Sequence, residues 1–233
     1  FRNGPNLLWM NGHDDTPTSK TTQRVRFHNN LVVGMDARAA REGGRASPIG
    51  ANKEGRSGVA VFAAFGVEDL IVTRNTIYDF RGKAPSFLFF DSTRAGAHAG
   101  LIVQDNIFAA EKALVASISG AFPGSDALDR QWTQHPDPKW TFRNNVLCCD
   151  AKNETPGDNF WPKNMAEIDF INPALGSLRL GSESKYTTSG SSKGPIGIDL
   201  SELETGIGNT LDSLLPLLGS RQESPIGRSK SRK

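Results

Sequence analysis

At 233 residues with 37% hydrophobic and 8% aromatic content, the chain holds enough apolar side chains for a large core and too many for a disordered polymer. Lysines and arginines number 27 against 25 acidic residues, and a formal charge of +2 sets up no field that would recruit nucleic acid or anionic lipid. The longest apolar runs, such as LLPLL at 214–218, fall far short of the roughly 18 residues of a membrane span.

The chain opens on FRNGPNLLWM, with neither an initiator methionine nor the basic-then-apolar layout of a signal peptide, and is read as the C-terminal portion of a longer protein. Next comes NGHDDTPTSK, the densest polar group near a strand end. His13, Asp14 and Asp15 are the residue types that hold a hard cation such as Ca2+ through oxygen or form an acid–base pair. Asp, Asn, Thr and Pro are equally the residues of an exposed turn.

The segment RVRFHNNLVVG, 24–34, is a short apolar run, a polar dyad and a second apolar run. The same pattern returns in LIVTRNTIYDF (70–80), LIVQDNIFAAE (101–111) and WTFRNNVLCCD (140–150). Recurrence at a few tens of residues with irregular insertions marks a stacked repeat. Asparagine in each dyad suits a sharp bend, because it tolerates left-handed backbone and its amide hydrogen-bonds locally. Asn30, Thr76, Asn106 and Asn145 are expected one above another as a ladder at that bend, with Asn29, Asn75, Asp105 and Asn144 as the competing row.

Between the first two repeats a basic loop carries Arg38 and Arg41, whose guanidinium forks match the carboxylate or sulfate groups of an acidic glycan. FLFFDSTR, from Phe87, places three phenylalanines in four positions, so one faces away from a core if the segment is a strand. Cys148 and Cys149 read as two small packing residues, with a vicinal disulfide or thiol sensor as the alternative. His98 and His135 lack partners at zinc-site spacing, and no nucleophile elbow or phosphate loop is present. Beyond Leu203, Leu211, Leu214, Leu215 and Leu218 follow a helical spacing before a basic tail, GRSKSRK, without apolar anchors.

These segments, with EIDFINPALGSLRLGSESKYTTSGSSKGPIGIDLSEL and its Phe-x-Asn-Pro-Ala, LRL and Gly-x-Asp features, resemble in content and order the C-terminal coils of bacterial right-handed parallel β-helix repeat proteins of the pectate-lyase-like superfamily. The resemblance spans roughly Leu7 to Leu203. It implies an all-β fold, a right-handed parallel β-helix (solenoid) with long inter-strand loops over 1–203, followed by a helical cap and disordered basic tail over 204–233. It further implies an exported protein, extracellular or periplasmic, that engages a polysaccharide as a lyase or glycoside hydrolase. The alternative is a non-catalytic surface or scaffold protein binding glycan or protein. The calcium and basic-residue constellation of the superfamily's lyases does not map residue by residue onto this chain. The expected partner is therefore a polysaccharide, with no nucleic acid and no membrane span, and the expected state a monomer. The candidate substrate or cation site comprises His13, Asp14, Asp15, Arg38 and Arg41; no cofactor is assigned, and Ca2+ is the ion such a site could take.

Overall fold

The computed structural model describes residues 7–12, 20–34, 61–80, 87–90, 98–110, 115–117, 124–134, 138–149, 152, 155–173 and 177–207. In chain order the strands begin with β1 (Leu8–Asn11), β2 (Gln23–His28) and β3 (Leu31–Val33). Then come β4 (Val61–Ala64), β5 (Glu68–Thr73), β6 (Thr76–Phe80), β7 (Phe87–Phe90), β8 (His98–Gln104) and β9 (Ile107–Ala110). After β10 (Val115–Ser117) a helix, α1 (Ser125–Gln131), precedes β11 (Trp132–Gln134), β12 (Trp140–Arg143) and β13 (Val146–Cys148). The chain continues through β14 (Phe170–Asn172) and β15 (Ser177–Leu180) to a second helix, α2 (Leu200–Ile207).

These strands build mixed sheets. β1, β4, β7 and β10 form a first parallel sheet. A second contains β2, β5, β8, β11 and β12, and a third β3, β6, β9 and β13. β14 and β15 pair antiparallel. This corrects the expected all-β right-handed parallel β-helix. The sheets are not closed, one is antiparallel, and α1 stands between the third and fourth repeats, where an all-β solenoid has no helix. The physical reason for α1 is local: Ala127 and Leu128 lie side by side and insert into the core beside Trp132, while Asp126 and Arg130 balance the helix dipole. The antiparallel pair follows from the Asn172–Pro173 step, since proline donates no ladder hydrogen bond and punctuates the chain before it returns. The expected boundary at Leu203 falls inside α2, and residues 211–218 and the basic tail lie outside the described residues.

Period-two alternation explains which side chains enter the core. Leu70 and Val72 of β5, Leu101 and Val103 of β8 and Phe142 of β12 point inward and are buried, together with Val32, Ile77, Phe108 and Leu147 of the third sheet. The outward residues of β9 and β13 in that third sheet are buried as well. Ile107, Ala109, Val146 and Cys148 meet Ile168, Phe170, Leu178, Tyr186 and Ile196 of the C-terminal segment in a second core. β9 and β13 are therefore buried along their whole length, as a strand covered on both faces must be. Cys148 and Cys149 are joined by a disulfide across a cis peptide bond.

At the bend between the second and third sheets, Asn29, Arg74, Asp105, Asn144 and Asp158 all adopt left-handed backbone. The residue after each is an asparagine, and these five amides form a continuous ladder. The Asn30 backbone N–H and Nδ2 donate to Asn75 Oδ1 at 2.9 and 3.0 Å, and the same two donors of Asn75 reach Asn106 Oδ1. Asn106 repeats the arrangement on Asn145, and Asn145 on Asn159. Thr76, expected in this row, stands one residue further along, at the start of β6 opposite Leu31 and Ile107, where its Oγ1 accepts the Ile198 N–H. The second repeat places arginine, not asparagine, in the left-handed position, so aligning repeats on their first Asn shifts it by one. Arg74 holds that conformation with its guanidinium 2.9 Å from Asp199.

Candidate functional site

The third sheet's outward face is covered, but that of the second sheet lies open to solvent, and its side chains fall into register across the strands. Arg24 lies opposite Asp69, and Asp69 opposite Gly100, because Gln23 and Val25 pair with Glu68 and Leu70, which pair in turn with Ala99 and Leu101. Two residues on, Arg26, Ile71, Ile102 and Thr141 align across β2, β5, β8 and β12. Next to them runs a polar row of His28, Thr73, Gln104 and Arg143. With strands about 4.8 Å apart, each four-residue row is about 14 Å long.

The first row has unusual backbone. Arg24, Asp69 and Gly100 carry φ of 57°, 52° and 67°, a left-handed residue near the start of each of three neighbouring strands. Such conformations cost non-glycine residues about 1–2 kcal/mol each and bend a strand locally. Beside this bend lies a groove of about 480 Å3 lined by Arg24, Arg26, Asp69, Ile71, Gly100, Ile102, Pro138 and Thr141, among others. Its size is within the usual range of ligand sites.

The charged side chains of the groove have no described partners. Arg24, Arg26 and Asp69 are exposed, and no described side chain forms an ion pair or hydrogen bond with any of the three. By contrast, the polar row satisfies itself: His28 Nδ1 and Thr73 Oγ1 lie 2.9 Å apart, and Arg143 Nε donates to Gln104 Oε1 at 3.5 Å. Ile102 is 38% exposed, a large aliphatic surface between charged neighbours. Planar guanidinium forks bind carboxylate or sulfate oxygens in pairs, and aliphatic side chains take the apolar face of a ring.

His13, Asp14, Asp15, Arg38 and Arg41 lie outside the described residues. Among the described residues, no group of three or more His, Cys, Asp or Glu side chains is placed to hold a metal ion such as Ca2+. Asn30, Asn106 and Asn145 are occupied by the ladder and face the bend, away from the groove. Sequence reasoning passed over the groove residues, although the signal was present: RVRFH alternates charged and apolar residues, so Arg24 and Arg26 must share a face opposite Val25 and Phe27.

The chain matches no protein-family model, no curated protein and no solved structure. The resemblance to pectate-lyase-like repeat proteins thus gains no support from comparison, and the groove must be read from its own chemistry. No described helix is long and apolar enough to cross a membrane.

Proposed function

We propose that this protein binds an extended acidic polysaccharide along the outward face of the second sheet. The observation that carries the reading is the convergence of Arg24, Arg26 and Asp69, none of them paired with a described side chain, on one groove floored by Ile71 and Ile102. Ligand carboxylates or sulfates meet the arginines, hydroxyls donate to Asp69 and Thr141, and ring faces lie on the isoleucines. Binding is favoured over cleavage because glycoside hydrolysis in most families requires two carboxylates flanking the scissile bond. Among the described residues, Asp69 is the one carboxylate lining this groove.

Affinity electrophoresis through gels containing polygalacturonate or hyaluronan tests the proposal. Wild type is expected to be retarded, less so as salt rises, since exposed charge pairs are screened. An R24A/R26A double variant should migrate freely while keeping its melting temperature, because both side chains are exposed and alanine, like arginine, carries a Cβ at the left-handed position 24. Equal retardation of the wild type and the double variant on every gel, or none at all, would overturn it.

A further inference from the structure

The asparagine ladder finishes differently at its two ends. Beyond Asn145 it is closed by the chain's own loop, Asn159 Nδ2 facing the carbonyls of Phe142, Pro156 and Gly157. At Asn30 it stays open. Asn75, Asn106, Asn145 and Asn159 each accept two hydrogen bonds at Oδ1 from the rung before, whereas no described donor reaches Asn30 Oδ1. The carbonyl two residues earlier repeats this contrast. Those of Thr73 and Gln104 accept the N–H of Asn29 and Arg74 from the preceding repeat, while the equivalent His28 carbonyl has only Asn30 Nδ2 of its own repeat. The strands agree with the ladder: β1, β2 and β3 are each the terminal strand of their parallel sheet among the described residues. Val25 and Phe27 of β2 point inward yet are only partly buried, whereas Leu70, Val72, Leu101 and Val103 in the same positions are fully buried. Backbone edge, side-chain acceptors and core are thus accessible together at one end of the stack.

We propose that this end docks a strand–bend–strand segment of a partner polypeptide, running parallel to β2 and β3, with an asparagine seated over Asn30. Hydrogen-bond polarity selects that occupant. His28 O and Asn30 Oδ1 are acceptors, and the dyad Arg74-Asn75 shows what satisfies such a set: the Arg74 N–H reaches Gln104 O, and the Asn75 N–H and Nδ2 reach Asn106 Oδ1. Apolar side chains at alternate positions before the partner's dyad then cover Val25 and Phe27, and its backbone adds to the free edges as a further strand. A second copy of the chain fits neither way round. Its equivalent end would bring acceptors against acceptors, and at its other end the Asn159 Nδ2 is already taken up by three carbonyls.

A synthetic peptide with the sequence of residues 68–79, EDLIVTRNTIYD, carries the required dyad between two suitable runs and serves as the probe. Titrated with the full chain, the fluorescently labelled peptide should show saturable binding by anisotropy, and deuterium uptake by the chain should slow within 23–33. The same peptide with Asn75→Asp places an oxygen where the amide nitrogen donated, so that it faces Asn30 Oδ1. It should bind at least about tenfold more weakly, the scale of one hydrogen bond replaced by an unsatisfied acceptor. Equal affinity of the two peptides would overturn the proposal, as would slowed exchange confined to regions other than 23–33. So would failure of the unaltered peptide to bind at any soluble concentration, or sedimentation showing that the chain self-associates with 23–33 protected.

Discussion

Asn106 shows what one residue contributes here. Fully buried, it accepts from the Asn75 backbone N–H and Nδ2, and its own Nδ2 faces the carbonyls of Val72 and Gln104 as well as Asn145 Oδ1. Replacement by alanine strips partners from both neighbouring rungs, and each orphaned buried group costs about 1–3 kcal/mol. The Asn106→Ala variant is therefore expected to lose at least about 3 kcal/mol in urea unfolding, measured as a lower midpoint at an unchanged slope. A variant that unfolds at the wild-type midpoint would show the amide to be dispensable. The residue before it serves a different contact. Asp105 is buried without a described cation, and its carboxylate takes the backbone N–H and the hydroxyl of Ser191.

At the scale of elements, the C-terminal segment runs across successive repeats. Gly197 N–H donates to the Asp105 carbonyl, Ile198 N–H to Thr76 Oγ1 and Asp199 N–H to Asn29 Oδ1, so three consecutive residues touch three successive repeats. Gly197 is required there: its φ is +85° and a Cβ would lie 2.6 Å from Thr76 Oγ1. Asp199 then caps α2, its Oδ1 accepting from Ser201 and Glu202 N–H, while its other oxygen pairs with Arg74. The Glu202 N–H foremost, and then Arg74, hold its carboxyl below the usual 3.8. A carboxyl whose folded pKa is depressed stabilises the fold above its unfolded pKa, and that stabilisation is lost as pH falls through the folded value. Asp199→Asn, which keeps a capping side chain, should thus melt below wild type at pH 7, and the gap should close as the pH drops below about 4. A gap that persists at pH 2 would assign the loss to packing instead of charge. Little of this segment was legible in the sequence. The repeats announce themselves because alternation and corner asparagines are local, whereas the contacts of Ser191 and Asp199 reach back 86 and 170 residues. Asn159 escaped notice for a similar reason, since only an isolated bridge between Val146 and Phe160 follows it where a full strand follows the other rungs. α1 was hidden because one buried Ala127–Leu128 pair is too short a signal to display a helical period.

Over the whole molecule, the three parallel sheets differ in cover, and this sets where the structure opens. β9 and β13 sit between two cores, while β2 pairs only with β5 among the described residues and turns Arg24 and Arg26 to water. Amides between well-covered strands open only with much of the fold, and edge amides open alone. Hydrogen–deuterium exchange should therefore be slowest at 107–110 and 146–148 and faster along 23–28; equal protection of the two regions would contradict this order of cover. The same difference accounts for what the sequence disclosed about the site. The alternation in RVRFH identifies one solvent-facing row, but the match of that row to Ile71, Ile102 and Thr141 depends on register between distant strands, which no single repeat encodes. The asparagine ladder has a direction too. From Asn75 onward each carboxamide oxygen faces the preceding rung, and from Asn30 to Asn145 each amide nitrogen donates to the next, so the side-chain dipoles line up head to tail. Aligned hydrogen-bonded dipoles polarise one another. The bend is therefore electrically polar along the stack, with its negative pole toward Asn30 and its positive pole toward Asn159, a vector produced entirely by neutral residues.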